Sequence, residues 1–358
     1  MRSSRLIFIV LSGALLGGAI YACANREAAP DNSLQVFSVL PTTHLPPPTT
    51  TSTTTAPAPP TTTTHHSKGW LVIHGTGDVN LDPSYIPALV SRGYDWAWSG
   101  LDGLFLQDDL TIVNLECSPS TLGEPEPKDF TFRCADGLHE MAEAGIEVAN
   151  LGNNHSQDFG KEAMLDGRAH LIEAGLVPVG AGADASQANA PALFDVEGWR
   201  VAIVGFGGIR PHDGWIATES DAGMADGDTI ESMVAAVESA DRLADWVIVT
   251  VHWGIELDLA PDPGDIERAQ ALISAGADAI FGHHAHRLQR LEIVDGVPVA
   301  WNLGNFVWPN LSPAGSRTGI ARMVVSPDGD VTGCLIPALI ESAGHPVLTG
   351  EPECGAPA

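Results

Sequence analysis

At 358 residues with 44% apolar side chains, the chain is long enough to bury one large core or two small ones. Its 45 Asp and Glu against 17 Lys and Arg give a formal charge of −28. That field excludes nucleic acid and anionic membrane surfaces as general partners, although bound cations would reverse the sign locally for an anionic substrate.

Residues 1–23 read as a targeting signal, with Arg2 and Arg5 ahead of the apolar run Leu6 to Leu11 and small residues as far as Ala22. The run falls short of the about 20 apolar residues of a membrane span. Ile20-Tyr21-Ala22-Cys23 resembles a bacterial lipobox in which Cys23 is lipidated, while Ala22-Cys23-Ala24 fits an ordinary A-x-A cleavage site. Both routes predict export, as a cell-surface lipoprotein or as a secreted chain, with the membrane touched only through an N-terminal anchor. Residues 24–68 are mostly Pro, Thr and Ser. Such a stretch cannot bury enough apolar area to offset its ordering entropy, so it reads as a disordered tether, with His65-His66 a solvated pair.

From Gly69 onward strand and helix alternate. A first strand ends near Asp78, and Trp96 to Gln107 reads as a helix leading to a strand before Glu116. Leu138 to Ala144 reads as a short helix, Ile146 to Leu151 as a strand, Gly160 to Ala174 as a helix and Leu176 to Ala181 as a strand. Ala192 to Val196 and Arg200 to Phe206 flank Glu197-Gly198 and predict a hairpin. Thr229 to Ala244, a strand to Val251, Asp265 to Ala275 and a strand to Phe281 continue the alternation. Beyond Gln289, short strands with Asp295-Gly296 and Asp328-Gly329 turns predict a second sheet layer. This gives one α/β domain over 69–340 and a C-terminal tail over 341–358.

With Cys23 lipidated or removed, Cys117, Cys134, Cys334 and Cys354 remain, and an even number in an exported chain predicts two disulfides. Three pairings are open. Local closure favours Cys117 with Cys134 and Cys334 with Cys354.

Polar motifs follow the apolar runs: Gly77-Asp78-Val79-Asn80, Asn114-Leu115-Glu116, Asn153-Asn154-His155, His252-Trp253-Gly254 and Gly282-His283-His284-Ala285-His286. Strand ends of an open α/β sheet meet along one crevice, so these residues share one site. Asp, Glu, Asn and His without Cys form a donor set for a pair of divalent metals. Singly, each motif has a plain structural reading: Asp-Val-Asn as a turn, His252 as an interior imidazole. The histidine cluster is harder to read that way, because clustered imidazoles repel when charged.

The series GDVNL, NLE, NNHSQDFG, HWGIEL, GHHAHRLQ and NLGNFVW resembles the CapA family of poly-γ-glutamate capsule proteins, over about Trp70 to Val325. The resemblance implies the calcineurin-like metallophosphoesterase fold, a four-layered α/β sandwich of two packed mixed sheets flanked by helices. It implies two divalent ions (Mn, Fe or Zn) on Asp78, Glu116, Asn154, His252, His284 and His286, with Glu116 in the bridging position. His155 matches the catalytic imidazole of that pattern, and Asp158 is placed to orient it if a helix has begun by then. Asn80 stands where many relatives carry a ligand His. With Asn153, Glu256, His283 and Asn305 it is assigned to ligand support or substrate contact; Asn302 falls in a family motif that loop anchoring explains as well. The resemblance further implies an anionic polymer or phosphoester substrate and a membrane-bound capsule synthesis complex as partner. Two functions follow: a metal-dependent hydrolase, or a non-catalytic metal-containing component of such a complex.

Overall fold

Along the strands, apolar side chains alternate between two faces and so build three cores. Leu71, Ile73 and Ile112 pack with Ile203, Ile248 and Phe281 between two sheets. Val113 and Leu115 turn to an outer core under the helix Gly160–Glu173, and Val247, Val249 and Val251 turn to another under Ile230–Asp241 and Pro263–Ser274. Three cores between two sheets and two helical layers make the four-layered α/β sandwich that the resemblance implied. The structure, a computed structural model, describes residues 36–38, 67–309 and 312–354, all within one compact unit. The targeting segment with Cys23, most of the tether and His65-His66 lie outside the described residues.

One sheet has seven strands in the order Val36–Ser38, Ala192–Val196, Trp199–Gly207, Trp246–His252, Ala279–His283, Val297–Ala300, Leu291–Val294. The other, of nine strands, runs His345–Leu348, Val331–Ser342, Arg317–Val325, Leu71–Val79, Leu110–Leu115, Val148–Asn150, Val177–Val179, with Asn305–Val307 beside Leu71–Val79 and Glu353–Cys354 beside Val331–Ser342. The strands that carry the motifs are parallel to their motif-bearing neighbours within each sheet. The sheets touch at Gly75, where a Cβ would stand 2.5 Å from the Phe281 ring. This close approach brings the ends of Leu71–Val79 and Ala279–His283 together.

Several expectations are corrected. Trp96 to Gln107 is two 3₁₀ turns, Tyr94–Leu101 and Leu104–Leu106, because Asp102 and Gly103 between them are left-handed at φ 51° and 70°. The C-terminal strands do not form a sheet of their own: Leu291–Val294 and Val297–Ala300 extend one sheet and Arg317–Val325 onward extends the other. Nor is 341–354 a tail, since His345–Leu348 and Glu353–Cys354 both pair with Val331–Ser342. Within the tether, Val36–Ser38 pairs with Ala192–Val196, and Lys68 Nζ lies 3.0 Å from Asp245 and over the Trp199 ring. The Glu197-Gly198 and Asp295-Gly296 hairpins form with both turn residues at positive φ, as such tight turns require. Both disulfides join the cysteines that local closure favoured, Cys117–Cys134 and Cys334–Cys354.

Candidate metal centre

Each strand delivers its donor at its C-terminal end. Asp78 is the penultimate residue of Leu71–Val79, Glu116 follows Leu110–Leu115, and His252 ends Trp246–His252. Asn154 and His155 lie in the loop after Val148–Asn150. After Ala279–His283 the chain holds His284 and His286 at φ 89° and 52°, a left-handed conformation costly for residues with a Cβ. That backbone separates the adjacent histidines. His283 stays in the ladder, its nitrogens 2.9 Å from Thr76 O and 3.3 Å from Val251 O, while His284 and His286 join the site.

The donors form two groups, Glu116 with His252 and His284, and Asp78 with Glu116 and His286, each with its ligand atoms within 4.8 Å of one another. Glu116 is common to both, the place of a bridging carboxylate. Both Glu116 oxygens and His284 Nδ1 are buried without a hydrogen-bond partner among the described residues. His286 Nδ1 approaches Asp78 Oδ2 at 3.1 Å and His252 Nε2 approaches Glu116 Oε1 at 3.6 Å. Asn154 adds its Oδ1, 2.8 Å from His252 Nε2.

Electrostatics agree with a cation site. Burial and the neighbouring Asp78 charge push the Glu116 carboxyl well above the usual range. Burial also opposes charge on Asp78, yet His286 beside it brings that carboxyl below its ordinary value. Burial and the surrounding imidazoles hold His252 well below its usual range and bring His284 down to about 4, so both are neutral, as ligands must be. Two fully buried carboxylates, orphaned oxygens and neutral imidazoles fit divalent ions.

His155 stands at the wall of this group. Its Nδ1 is 2.7 Å from Asp158 Oδ2, and its Nε2 is 3.9 Å from Glu116 Oε1. The contact to Asp158 comes through a turn, because the helix begins only at Gly160. Asp158 Oδ2 also accepts from Phe132 N at 2.7 Å, and Oδ1 lies 2.5 Å from Lys128 Nζ. Lys128 donates to Asn154 O at 2.5 Å, and the Phe132 ring stacks on His155 with centroids 4.2 Å apart. Burial lowers the His155 pKa against the pull of Asp158. A cavity of about 580 Å³ opens over Asn154, His155, His284 and His286.

The remaining assigned residues divide. Asn153 is structural: its Oδ1 accepts from His155 N and its Nδ2 donates to Leu115 O. Asn80 Oδ1 caps the turn at Asp82 N, so it is not a free ligand oxygen, and Asn302 Oδ1 anchors Gly304 N. Glu256 is exposed on the cavity rim, and Asn305 is buried in its wall. Sequence reasoning missed Lys128, Phe132, Arg210, Arg287 and Asn114, whose Nδ2 reaches Asp78 Oδ1 at 2.9 Å and His252 Nδ1 at 3.1 Å. Two of these had a signal: Asn114 as the first residue of the NLE motif at a strand end, and Arg287 within GHHAHRLQ.

Two donor groups sharing one buried carboxylate, at the strand ends of a two-sheet α/β sandwich, define a protein built around a candidate dinuclear metal centre. The chain belongs to the family described as bacterial capsule synthesis protein PGA_cap, whose model matches residues 72–310. It is 33% identical over 237 residues to the PGA biosynthesis protein CapA of Bacillus subtilis, covering 65% of this chain and 62% of that protein. It is 32% identical over 228 residues to a probable polyglutamine synthesis accessory protein of Mycobacterium tuberculosis, covering 60% of each. The capsule biosynthesis protein CapA of Bacillus anthracis is 37% identical over 171 residues, 47% of this chain and 41% of that protein. The chain thus spans about 60% of the length of the first two curated relatives. A solved structure described as a novel phosphatase from Mycoplasma pneumoniae superposes with a TM-score of 0.48 at 15% identity, covering 75% of this chain and 94% of that one.

Proposed function

We propose that the chain is an exported, metal-dependent hydrolase acting on an acidic capsule or envelope polymer, or on its phosphorylated precursor. The observation that carries this reading is Glu116, buried and common to two donor groups behind the cavity-lining His284 and His286, with His155 Nε2 3.9 Å away. Asp78, Glu116, Asn154, His252, His284 and His286 would hold the ions. Bound there, divalent ions supply Lewis acidity and an acidified water. Asp158 fixes the His155 ring through Nδ1, so that the ring, when protonated on both nitrogens, presents its Nε2–H to the leaving group. Lys128, Arg210 and Arg287 on the cavity wall favour an anionic substrate against the negative field of the whole chain. Two disulfides support export, and lipidation at Cys23 would anchor the protein. Moving Cys23→Ser from the detergent phase to the soluble fraction checks that anchor; unchanged partitioning removes it.

The names of the relatives, a synthesis accessory protein among them, favour a second reading as a metal-containing component of a polymer synthesis complex. Hydrolysis of an activated phosphodiester and of γ-linked glutamate oligomers, each with and without chelator, decides between them. Chelator-sensitive turnover that His155→Ala abolishes, with metal retained by elemental analysis, supports the hydrolase. Metal-dependent polymer retention without turnover supports the second reading, and a wild-type protein that takes up no metal overturns both.

A further inference from the structure

Apolar side chains, more than cations, build the wall of the cavity over the metal centre. The ring of the candidate ligand His286 packs on Trp308 with centroids 4.6 Å apart, Trp308 meets Phe132 edge-on at 5.6 Å, and Phe132 meets Tyr85 edge-on at 4.8 Å. Tyr85 and Trp308 line the cavity with Phe130, Ile209, Leu257 and Pro309, so this surface is continuous from a ligand to the rim. At the rim two large apolar side chains stand in water: Phe130 is 60% exposed and Leu257 54%. Single exposed apolar residues are ordinary, but these two are held in place. Leu257 sits at φ 69°, a conformation costly for a bulky residue, which persists only where its surroundings enforce it. Its N–H donates to Ala285 O at 2.8 Å, between His284 and His286, and Gln289 Nε2 donates to Asp258 O at 3.1 Å, so the loop is pinned to the segment that carries the ligands. Phe130 lies between Lys128 and Phe132, which are themselves fixed on Asp158 and His155, in the loop that Cys117–Cys134 closes. A wholly hydrophilic substrate would leave both rim side chains in water with nothing gained from holding them there.

We infer that this wall takes the apolar chain of an amphiphilic substrate, an anionic phosphoester carried on an acyl or prenyl chain. The phosphate lies toward Glu116 and His155, and the chain runs past Trp308 to Phe130 and Leu257. Charge sets that orientation: Lys128 Nζ is 3.3 Å from His155 Nδ1 and Arg287 directly follows His286, so the positive groups stand at the inner end of the cavity and the exposed apolar ones at its mouth. The inference rests on the proposed hydrolase and narrows its substrate to a phosphorylated precursor borne on a lipid chain.

Calorimetric titration of the metal-loaded full chain, in detergent-free buffer, with methyl, butyl and octyl phosphate below their micelle concentrations tests the wall. A methylene taken fully out of water is worth about fourfold in affinity; on a half-open wall each should give about twofold, so octyl phosphate should bind on the order of 100-fold more tightly than methyl phosphate. Phe130→Ser combined with Leu257→Asn should lose most of that gain with metal content unchanged, since Asn adopts positive φ readily and the loop keeps its course. Leu106→Ser, which removes an equally exposed apolar side chain from a different recess, should keep the gain. Equal affinity across the series in the wild type, or a gain that survives in the double variant, overturns the wall. Sedimentation with neutral phospholipid vesicles that the double variant abolishes, with no gain along the monomeric series, also overturns it and makes the rim a membrane contact. A gain in binding without cleavage of the matching p-nitrophenyl alkyl phosphodiesters, in which water would release p-nitrophenol and leave the alkyl phosphate, keeps the wall and overturns only the hydrolase reading. Chelator-sensitive cleavage with no gain along the series does the reverse.

Discussion

Asp158 Oδ2 stands 2.7 Å from His155 Nδ1 and so decides which nitrogen of that ring faces Glu116. The same carboxylate is held by Phe132 N and by Lys128, so its position is over-determined and the ring inherits it. Asp158→Asn keeps the shape but removes the charge, and loss of such an orienting partner typically costs about 10–100-fold in activity. Turnover of an activated phosphodiester should fall by that order with metal content intact. Metal lost together with activity would mean that Asp158 supports the ligands rather than His155.

The disulfide Cys117–Cys134 closes the loop that carries Lys128 and Phe132 onto His155. A crosslink spanning 17 residues stabilises by about 3 kcal/mol in the chain-entropy model. Replacing both cysteines by Ser should lower the unfolding free energy by that order and slow turnover while metal stays bound. The Cys334–Cys354 bridge joins strands that carry no donor, so removing it should cost stability but not turnover. Equal effects of the two pairs on turnover would show that the first bridge does not position His155. Denaturant unfolding, elemental analysis and kinetics on each double variant make the comparison.

The candidate donors were legible in the sequence because each sits where an apolar run stops, and parallel strands bring such stops to one edge. The histidine run shows the limit of that reading. Residues 283, 284 and 286 are equivalent in composition, and only the left-handed backbone at His284 and His286 separates a ladder residue from two donors. Lys128 was not legible, since a loop cation has no periodicity and its role depends on which carboxylates come near it. Strand Val36–Ser38 and the 3₁₀ turns were missed for a related reason. Long-range pairing and a left-handed break at Asp102-Gly103 override local composition.

Away from the metal centre, Glu147 is half-buried beside Asp108 and Asp109, and that partial burial pushes its carboxyl up to about 8. An acid whose folded pKa is raised contributes stability below its unfolded pKa and loses it as pH rises through the folded one. Stability should therefore decline between about pH 4.5 and pH 8, the two values for this group. Each pKa unit corresponds to about 1.4 kcal/mol, so Glu147→Gln, which can still accept from Thr111 N, should stabilise the protein by on the order of 1–3 kcal/mol at pH 8 and by little at pH 4.5. Thermal melts of both proteins across that range give the answer. A constant difference between them would place the penalty elsewhere.

Glu116 links the metal centre to pH in the opposite sense, and the sign can be worked out without its exact pKa. In the metal-free chain, burial and Asp78 favour a protonated Glu116; with ions bound the carboxylate must be charged. The metal-free native state thus carries protons that the metal-loaded one lacks, while the unfolded chain is common to both. The stability gap between loaded and chelated protein must then widen as pH rises. The lowered His252 and His284 enter this difference little, since they are neutral in the free site and neutral as ligands. Melting temperatures of loaded and chelator-treated protein at pH 6 and pH 8 should diverge by several degrees more at the higher pH, and calorimetry in buffers of different ionisation enthalpy should register proton release on metal uptake. A gap independent of pH, with no protons released, would show that Glu116 does not become a charged ligand and would remove the shared carboxylate from the site.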